Sequence, residues 1–190
     1  MLIAIVGAPS AGKTTLAHTV TALLKEEGRS VVMVPEYART VLERGGKGFI
    51  PVDLQPLVAL GQMADEMTAK RCYEYVVCDS AVFLAYLYAL RNVTGAVSEG
   101  CLPPEMHAEA VSKLEALSRL HRYDYVFFLP PREFQSDGVR SEEHCRVASI
   151  SALIQIYCQG EFRFPSQTKY VVLGGGRADL NARIVLTHIR

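Results

Sequence analysis

The chain alternates between short, largely apolar runs and longer segments whose apolar residues recur every three or four positions. Runs of the first kind are Leu2–Val6, Ser30–Val34, Tyr75–Cys78, Tyr125–Leu129 and Tyr170–Leu173. Strands covered on both faces have this character, because no position along them meets water. Between the runs the spacing turns helical. Lys13 to Glu27 places Leu16, Val20, Leu23 and Leu24 on one side and stops at Gly28, as helices commonly do. Further helices are expected from Tyr37 to about Arg44, Asp53 to Lys70, Phe83 to Leu90, Pro104 to Leu120, Ser141 to about Cys158, and Ala178 to Ile189. Asp53 is the expected N-cap of its helix, with Pro56 in the first turn. Phe83–Leu90 is apolar all round and belongs in a core, whereas G-G-K-G at 45–48 and residues 92–103 have turn chemistry. Five such strands separated by helices predict an α/β fold, a three-layer sandwich of about five parallel strands with helices on both faces. No repeat or linker interrupts the pattern, so residues 1–190 are expected to form a single domain.

Charge changes this picture little. Twenty basic residues balance twenty acidic ones, so no global field draws the molecule toward nucleic acid or a membrane. The basic set leans to arginine, fourteen against six lysines, and arginine is the better residue for forked phosphate contacts. The five cysteines (72, 78, 101, 145 and 158) form no C-x-x-C pair and are odd in number. They read as reduced, mostly buried thiols. The apolar start is too short for a membrane span and lacks a signal peptide's basic region and cleavage site. A cytoplasmic protein is the expectation.

Chemistry enters at the end of the first strand. Residues 7–14 read G-A-P-S-A-G-K-T, the pattern G-x-x-x-x-G-K-[ST] between a buried strand and an amphipathic helix. Glycines let such a loop aim its backbone N–H groups inward at phosphate oxygens, and the helix start adds free N–H groups and partial positive charge. The expected cradle is Gly7, Ala8, Pro9, Ser10, Ala11, Gly12, Lys13, Thr14 and Thr15. Lys13 should reach the β- and γ-phosphates of ATP, and the Thr14 hydroxyl should bind Mg²⁺. Y-V-V-C-D at 75–79 delivers Asp79 to the carboxyl edge of the sheet, where ligands of open α/β sheets bind. Asp79 is therefore the expected second metal ligand, near the acceptor.

The acceptor side is read from two further stretches. V-P-E-Y-A-R places Glu36 and Arg39 three residues apart, so both face the same sheet edge. A phosphoryl acceptor hydroxyl needs a carboxylate to orient it and take its proton, the role expected of Glu36, while Arg39 would bind a polar or anionic part of the acceptor. After the fourth strand, P-P-R-E-F-Q-S-D-G-V-R-S-E-E-H-C-R holds Arg132, Arg140 and Arg146 around an Asp137-Gly138 turn. A segment of this kind can close over ATP and stabilise charge on the transferring group. Arg140 is the expected catalytic arginine and Arg132 a further phosphate ligand. The five histidines lack metal-ligand spacing and read as helix-surface residues. Gly174–Gly176 follows the last strand, as either a loop near the adenine or a plain turn. Tyr73, Tyr75, Tyr86 and Tyr88 read mostly as core.

The combination of G-A-P-S-A-G-K-T-T-L, V-P-E-Y-A-R, a strand ending in D-S, and D-G-V-R-S resembles the ribosylnicotinamide-kinase-like group of P-loop proteins. That group includes the kinase domain of the bacterial bifunctional NAD-biosynthesis regulator and many phage and bacterial ATPases. The resemblance implies a nucleoside-kinase-like fold and ATP-dependent phosphorylation of a hydroxyl on a nucleoside- or nucleotide-like acceptor. Deoxynucleoside kinases are similar in using a carboxylate after the second strand as base, which supports Glu36. The chain departs from the group after its third strand, reading D-S-A-V-F-L-A-Y where kinase members often have D-T-[DGH]-h-h-T-T. That difference turns attention away from ribosylnicotinamide. Two alternatives stay open: a phage-type DNA kinase acting on 5-hydroxymethyluracil within DNA, and a switch-like ATPase with no small acceptor. The DNA reading would need exposed Arg39, Arg44, Lys47 and Arg91 beside the site. Oligomeric state is left open, a dimer included.

Overall fold

The computed structural model describes residues 1–45, 50–94, 104–131, 144–161 and 167–190. The side chains of 93, 94, 104, 144–146 and 161 are not among those described. Five strands, β1 (Leu2–Val6), β2 (Val31–Val34), β3 (Tyr75–Cys78), β4 (Tyr125–Phe128) and β5 (Lys169–Val172), pair in the order β2-β3-β1-β4-β5. Every pairing is parallel. All expected strands are present, with ends moved by one residue at most.

Among the described residues seven α-helices accompany them: α1 (Lys13–Glu26), α2 (Tyr37–Gly45), α3 (Gln55–Cys72), α4 (Val82–Thr94), α5 (Pro104–Leu120), α6 (His144–Ile156) and α7 (Ala178–Ile189). The pleat of the sheet sorts side chains to two sides. Ile3, Ile5, Val77 and Phe127 meet Leu16, Val20 and Leu24 of α1 and Val185 and Ile189 of α7. Ala4, Val6, Val76, Cys78 and Phe128 face the opposite layer, with Val58 of α3, Phe83 and Leu87 of α4, Leu114 of α5 and Ile150 of α6. β1 is buried along its whole length, as its unbroken apolar sequence predicts. α4 is buried as expected and runs four residues beyond Leu90.

Two further boundaries differ from the sequence reading. Asp53 does not cap α3. It lies in a single 3-10 turn, Val52–Leu54, that precedes the helix, and Leu54 takes the cap position without a side-chain bond. Pro56 does occupy the first turn. α6 ends at Ile156 in a π-type turn, Tyr157–Glu161. The G-K-G of 46–48, the 95–103 loop and the expected helix start at Ser141 lie outside the described residues.

β1 and β4 come so close at their ends that Gly7 has no alternative. A Cβ there would sit 2.6 Å from the Leu129 carbonyl oxygen, and both groups are backbone, so neither can swing aside. Gly7→Ala is expected to destabilise the fold by about 1–3 kcal/mol, the usual cost of overpacking a tight site. The check is a lower denaturant midpoint at unchanged slope.

Candidate active site

The carboxyl ends of β1, β2 and β3 bring three loops together. Val34 and Cys78 are partners across β2 and β3, and Ala4 and Cys78 across β1 and β3. The next amide along, Asp79 N–H, donates to the Val34 carbonyl at 2.9 Å. The turns that begin at Gly7, Pro35 and Asp79 are therefore neighbours at one edge.

The loop after β1 is wound for an anion. Ser10 has a φ of +61° and Gly12 a φ of +93°, a left-handed region that costs a non-glycine residue energy unless the surroundings hold it there. Ala8, Pro9 and Ala11 are buried beneath the loop, while Thr14 and Thr15 at its exit are exposed. Gly12 caps α1 without a side-chain bond, and the first turn carries no acidic residue. The early N–H groups of α1 thus meet no competing anion of the helix's own first turn. Lys13 is only 6% exposed, and its Nζ donates to the Ala8 carbonyl at 3.1 Å. An ammonium group this buried marks a place built for compensating negative charge.

Asp79 is buried, 3% exposed, and accepts a hydrogen bond from Thr14 Oγ1 at 2.5 Å. The structure thus joins the two residues that the sequence nominated for Mg²⁺, from segments 65 positions apart. Both offer hard oxygen atoms, the donor type magnesium requires. Among the described residues, no three His, Cys, Asp or Glu side chains cluster to hold a metal. Magnesium sites of the nucleotide-dependent kind commonly use one or two protein ligands plus phosphate oxygens and water.

Glu36 is also buried, at 9% exposure, between the end of β2 and the start of α2. Its carbonyl accepts the Arg39 N–H at 3.2 Å, and Arg39 itself is half-buried in the first turn of α2. α3 holds this start in place. The Tyr37 N–H donates to Gln62 Oε1 at 2.9 Å, and the Tyr37 ring lies against Gly61, where a Cβ would come within 2.4 Å. Arg132 and Arg140 lie outside the described residues, as does the side chain of Arg146.

The histidine expectation fails at His121. It closes α5, but its side chain is 8% exposed and its Nε2 is 2.6 Å from Oε2 of Glu66. Glu66 itself is 0% exposed. His18 and His188 are exposed as expected. Tyr75 and Tyr86 are core residues, whereas Tyr73 is exposed. Of the cysteines described, Cys78 and Cys158 are buried and Cys72 is exposed. The Gly174–Gly176 loop is tied to α7 through Asn181 Nδ2, which donates to the Gly174 carbonyl at 3.0 Å. Among the described residues, no helix is long and apolar enough to cross a membrane.

The family model described as an AAA domain matches residues 2–166, the P-loop and all the site residues above included. The chain belongs to the AAA-domain family. None of the curated proteins shows a significant sequence match to this AAA domain. Solved structures do match in fold. Deoxyadenosine kinase from M. mycoides with bound dATP superposes at a TM-score of 0.69 and 14% identity, covering 100% of this chain and 99% of that one. NadR in complex with NAD and AMP-PNP gives a TM-score of 0.71 at 18% identity, covering 99% of this chain and 48% of NadR. The AAA domain thus spans about half of the NadR chain. Its architecture is that of the nucleoside-kinase-like P-loop proteins.

Proposed function

We propose that the protein is an ATP- and Mg²⁺-dependent kinase that transfers the γ-phosphoryl group to a hydroxyl of a nucleoside- or nucleotide-like acceptor. The observation that carries this reading is a pair of buried carboxylates at one sheet edge with different attachments. Asp79 is bonded to the P-loop threonine, while Glu36 stands at the start of α2. Metal binding accounts for the first, and the second fits the base that a phosphoryl acceptor needs. The loop N–H groups and Lys13 hold the β- and γ-phosphates. Thr14 and Asp79 hold Mg²⁺, which when bound neutralises charge developing on the phosphates. Glu36 accepts the proton of the acceptor hydroxyl as its oxygen bonds to the γ-phosphorus and the bond to the bridging oxygen of ADP breaks. Arg39 binds a polar part of the acceptor, and Arg140, with Arg132, stabilises the transferring group.

The fold likeness to a deoxyadenosine kinase and to NadR supports a nucleoside-like acceptor. DNA as substrate has less support. Of the arginines it calls for, Arg44 is exposed, but Arg39 and Arg91 are half-buried and Arg91 lies over the Tyr88 ring at 5.0 Å. ATP consumption measured with nucleosides, nucleotides and hydroxymethyluracil DNA tests the reading. A nucleoside or nucleotide that stimulates turnover and appears as its phosphate supports it. Stimulation by the DNA alone moves the acceptor into DNA, and turnover that no acceptor stimulates overturns the kinase assignment.

The metal assignment has its own test. Asp79→Asn keeps the shape but removes one charged ligand, a loss of about 1.5–3 kcal/mol. The Mg²⁺ concentration for half-maximal turnover is expected to rise about tenfold or more. An unchanged magnesium dependence would place the ion elsewhere.

A further inference from the structure

Glu66 lies in the middle of α3, beneath the site and wholly out of solvent. Two side chains bond to it. Gln62 Nε2 donates to Oε1 at 2.8 Å, and His121 Nε2 lies 2.6 Å from Oε2. The Cys78 thiol and the Tyr123 hydroxyl lie near it, and burial first and the Glu66 carboxylate second raise both well above their ordinary pKa values.

Both arms lead on toward the sheet edge. A carboxylate only accepts and a backbone N–H only donates, so Gln62 must turn its nitrogen to Glu66 and its oxygen to Tyr37. Tyr37 is the residue after Glu36. His121 stands edge-on to the Tyr123 ring at 5.1 Å, and the Tyr123 hydroxyl accepts the Val82 N–H at 2.8 Å. Val82 opens α4, three residues past Asp79. Apolar side chains could fill this space without the desolvation cost of a buried carboxylate, so packing alone does not explain Glu66.

We propose that Glu66 is a positioning residue that sets the two sheet-edge carboxylates relative to each other, Glu36 through Gln62 and Tyr37, Asp79 through His121, Tyr123 and Val82. The catalytic part of this proposal rests on the kinase reading. One buried carboxylate thus gives the acceptor-side and metal-side loops a common reference.

Glu66→Gln tests it, because the amide keeps the volume but turns an NH2 group toward one of the two partners, Gln62 or His121. Loss of such a supporting contact commonly costs about 10–100-fold in activity, and that fall is expected in kcat, with the KM for ATP within about twofold because β1, the P-loop and α1 are untouched. Hydrogen exchange at the Tyr37 and Val82 amides should quicken about tenfold or more while β1 amides stay protected. The double variant Gln62→Glu with Glu66→Gln restores an acceptor for Tyr37 and should recover most of the kcat. Unchanged exchange at Tyr37 and Val82 overturns the proposal, as does a uniform rise in exchange with kcat and the KM for ATP impaired together. If Glu66→Gln does not fold, His121→Phe, which keeps a ring but removes the bond to Glu66, decides by the same exchange measurement at Val82. Exchange needs no acceptor. A wild-type protein that phosphorylates nothing would therefore sink the kinase reading while the exchange data still judged the positioning role.

Discussion

Lys13→Met is expected to reduce ATP turnover by about 10³-fold or more while leaving the protein folded. Loss of one preorganised donor to developing charge commonly costs about 10²–10³ in kcat, and Lys13 supplies a full charge as well as hydrogen bonds. Its burial, at 6% exposure, makes the effect large, because screening by water is weak there. The same burial makes the stability change small or favourable. Methionine keeps most of the apolar stem and removes the cost of holding an ammonium group out of water. The lost bond to the Ala8 carbonyl works in the opposite direction and is worth about 1.5–3 kcal/mol at most. The expected pattern is thus a thermal midpoint near that of the wild type with turnover near zero. A variant that unfolds would reassign Lys13 to structure, and one that turns over normally would remove the P-loop from the reaction.

The parts of this molecule that were legible in the sequence are those whose chemistry is local. β1, its loop and α1 form one contiguous stretch, so strand burial, glycine spacing and the lysine can be read together. Asp79 was legible because a buried strand can deliver its last residue only to the sheet edge, and its bond to Thr14 agrees with that placement. Asp53 was misread because a side chain suited to capping says nothing about a 3-10 turn inserted ahead of the helix. The Glu66 cluster was hidden for a different reason. Its members come from α3, β3, the end of α5 and the start of β4, and no short window contains more than two of them. A signal was nevertheless present: the buried side of α3 runs through Gln55, Val58, Ala59, Gln62 and Glu66. Three polar residues at helical spacing on the buried side of a helix demand buried partners, and His121, just past Leu120, was available as one. Reading His121 as a surface residue treated the end of α5 as solvent-facing, whereas the chain there turns inward toward β4.

Glu36→Gln is the second large effect expected, and it concerns transfer alone. The substitution keeps the size and the hydrogen-bonding oxygen but cannot take a proton, so general-base assistance is lost, a factor of about 10²–10⁴. In the cradle Lys13 donates to the Ala8 carbonyl, and the proposed metal ligands Thr14 and Asp79 are bonded to each other. Affinity for an ATP analogue and the magnesium dependence should therefore match the wild type while kcat with the acceptor falls. That split separates Glu36 from Asp79, whose replacement should raise the magnesium requirement. It also separates a base from a binding residue, since loss of uniform binding raises KM with kcat unchanged. Burial at 9% exposure sharpens the contrast: little water is at hand to take over the proton, so the activity left should not be restored by added buffer bases. Normal transfer by Glu36→Gln would leave Asp79 as the remaining carboxylate at this edge, with the metal and the proton sharing one residue.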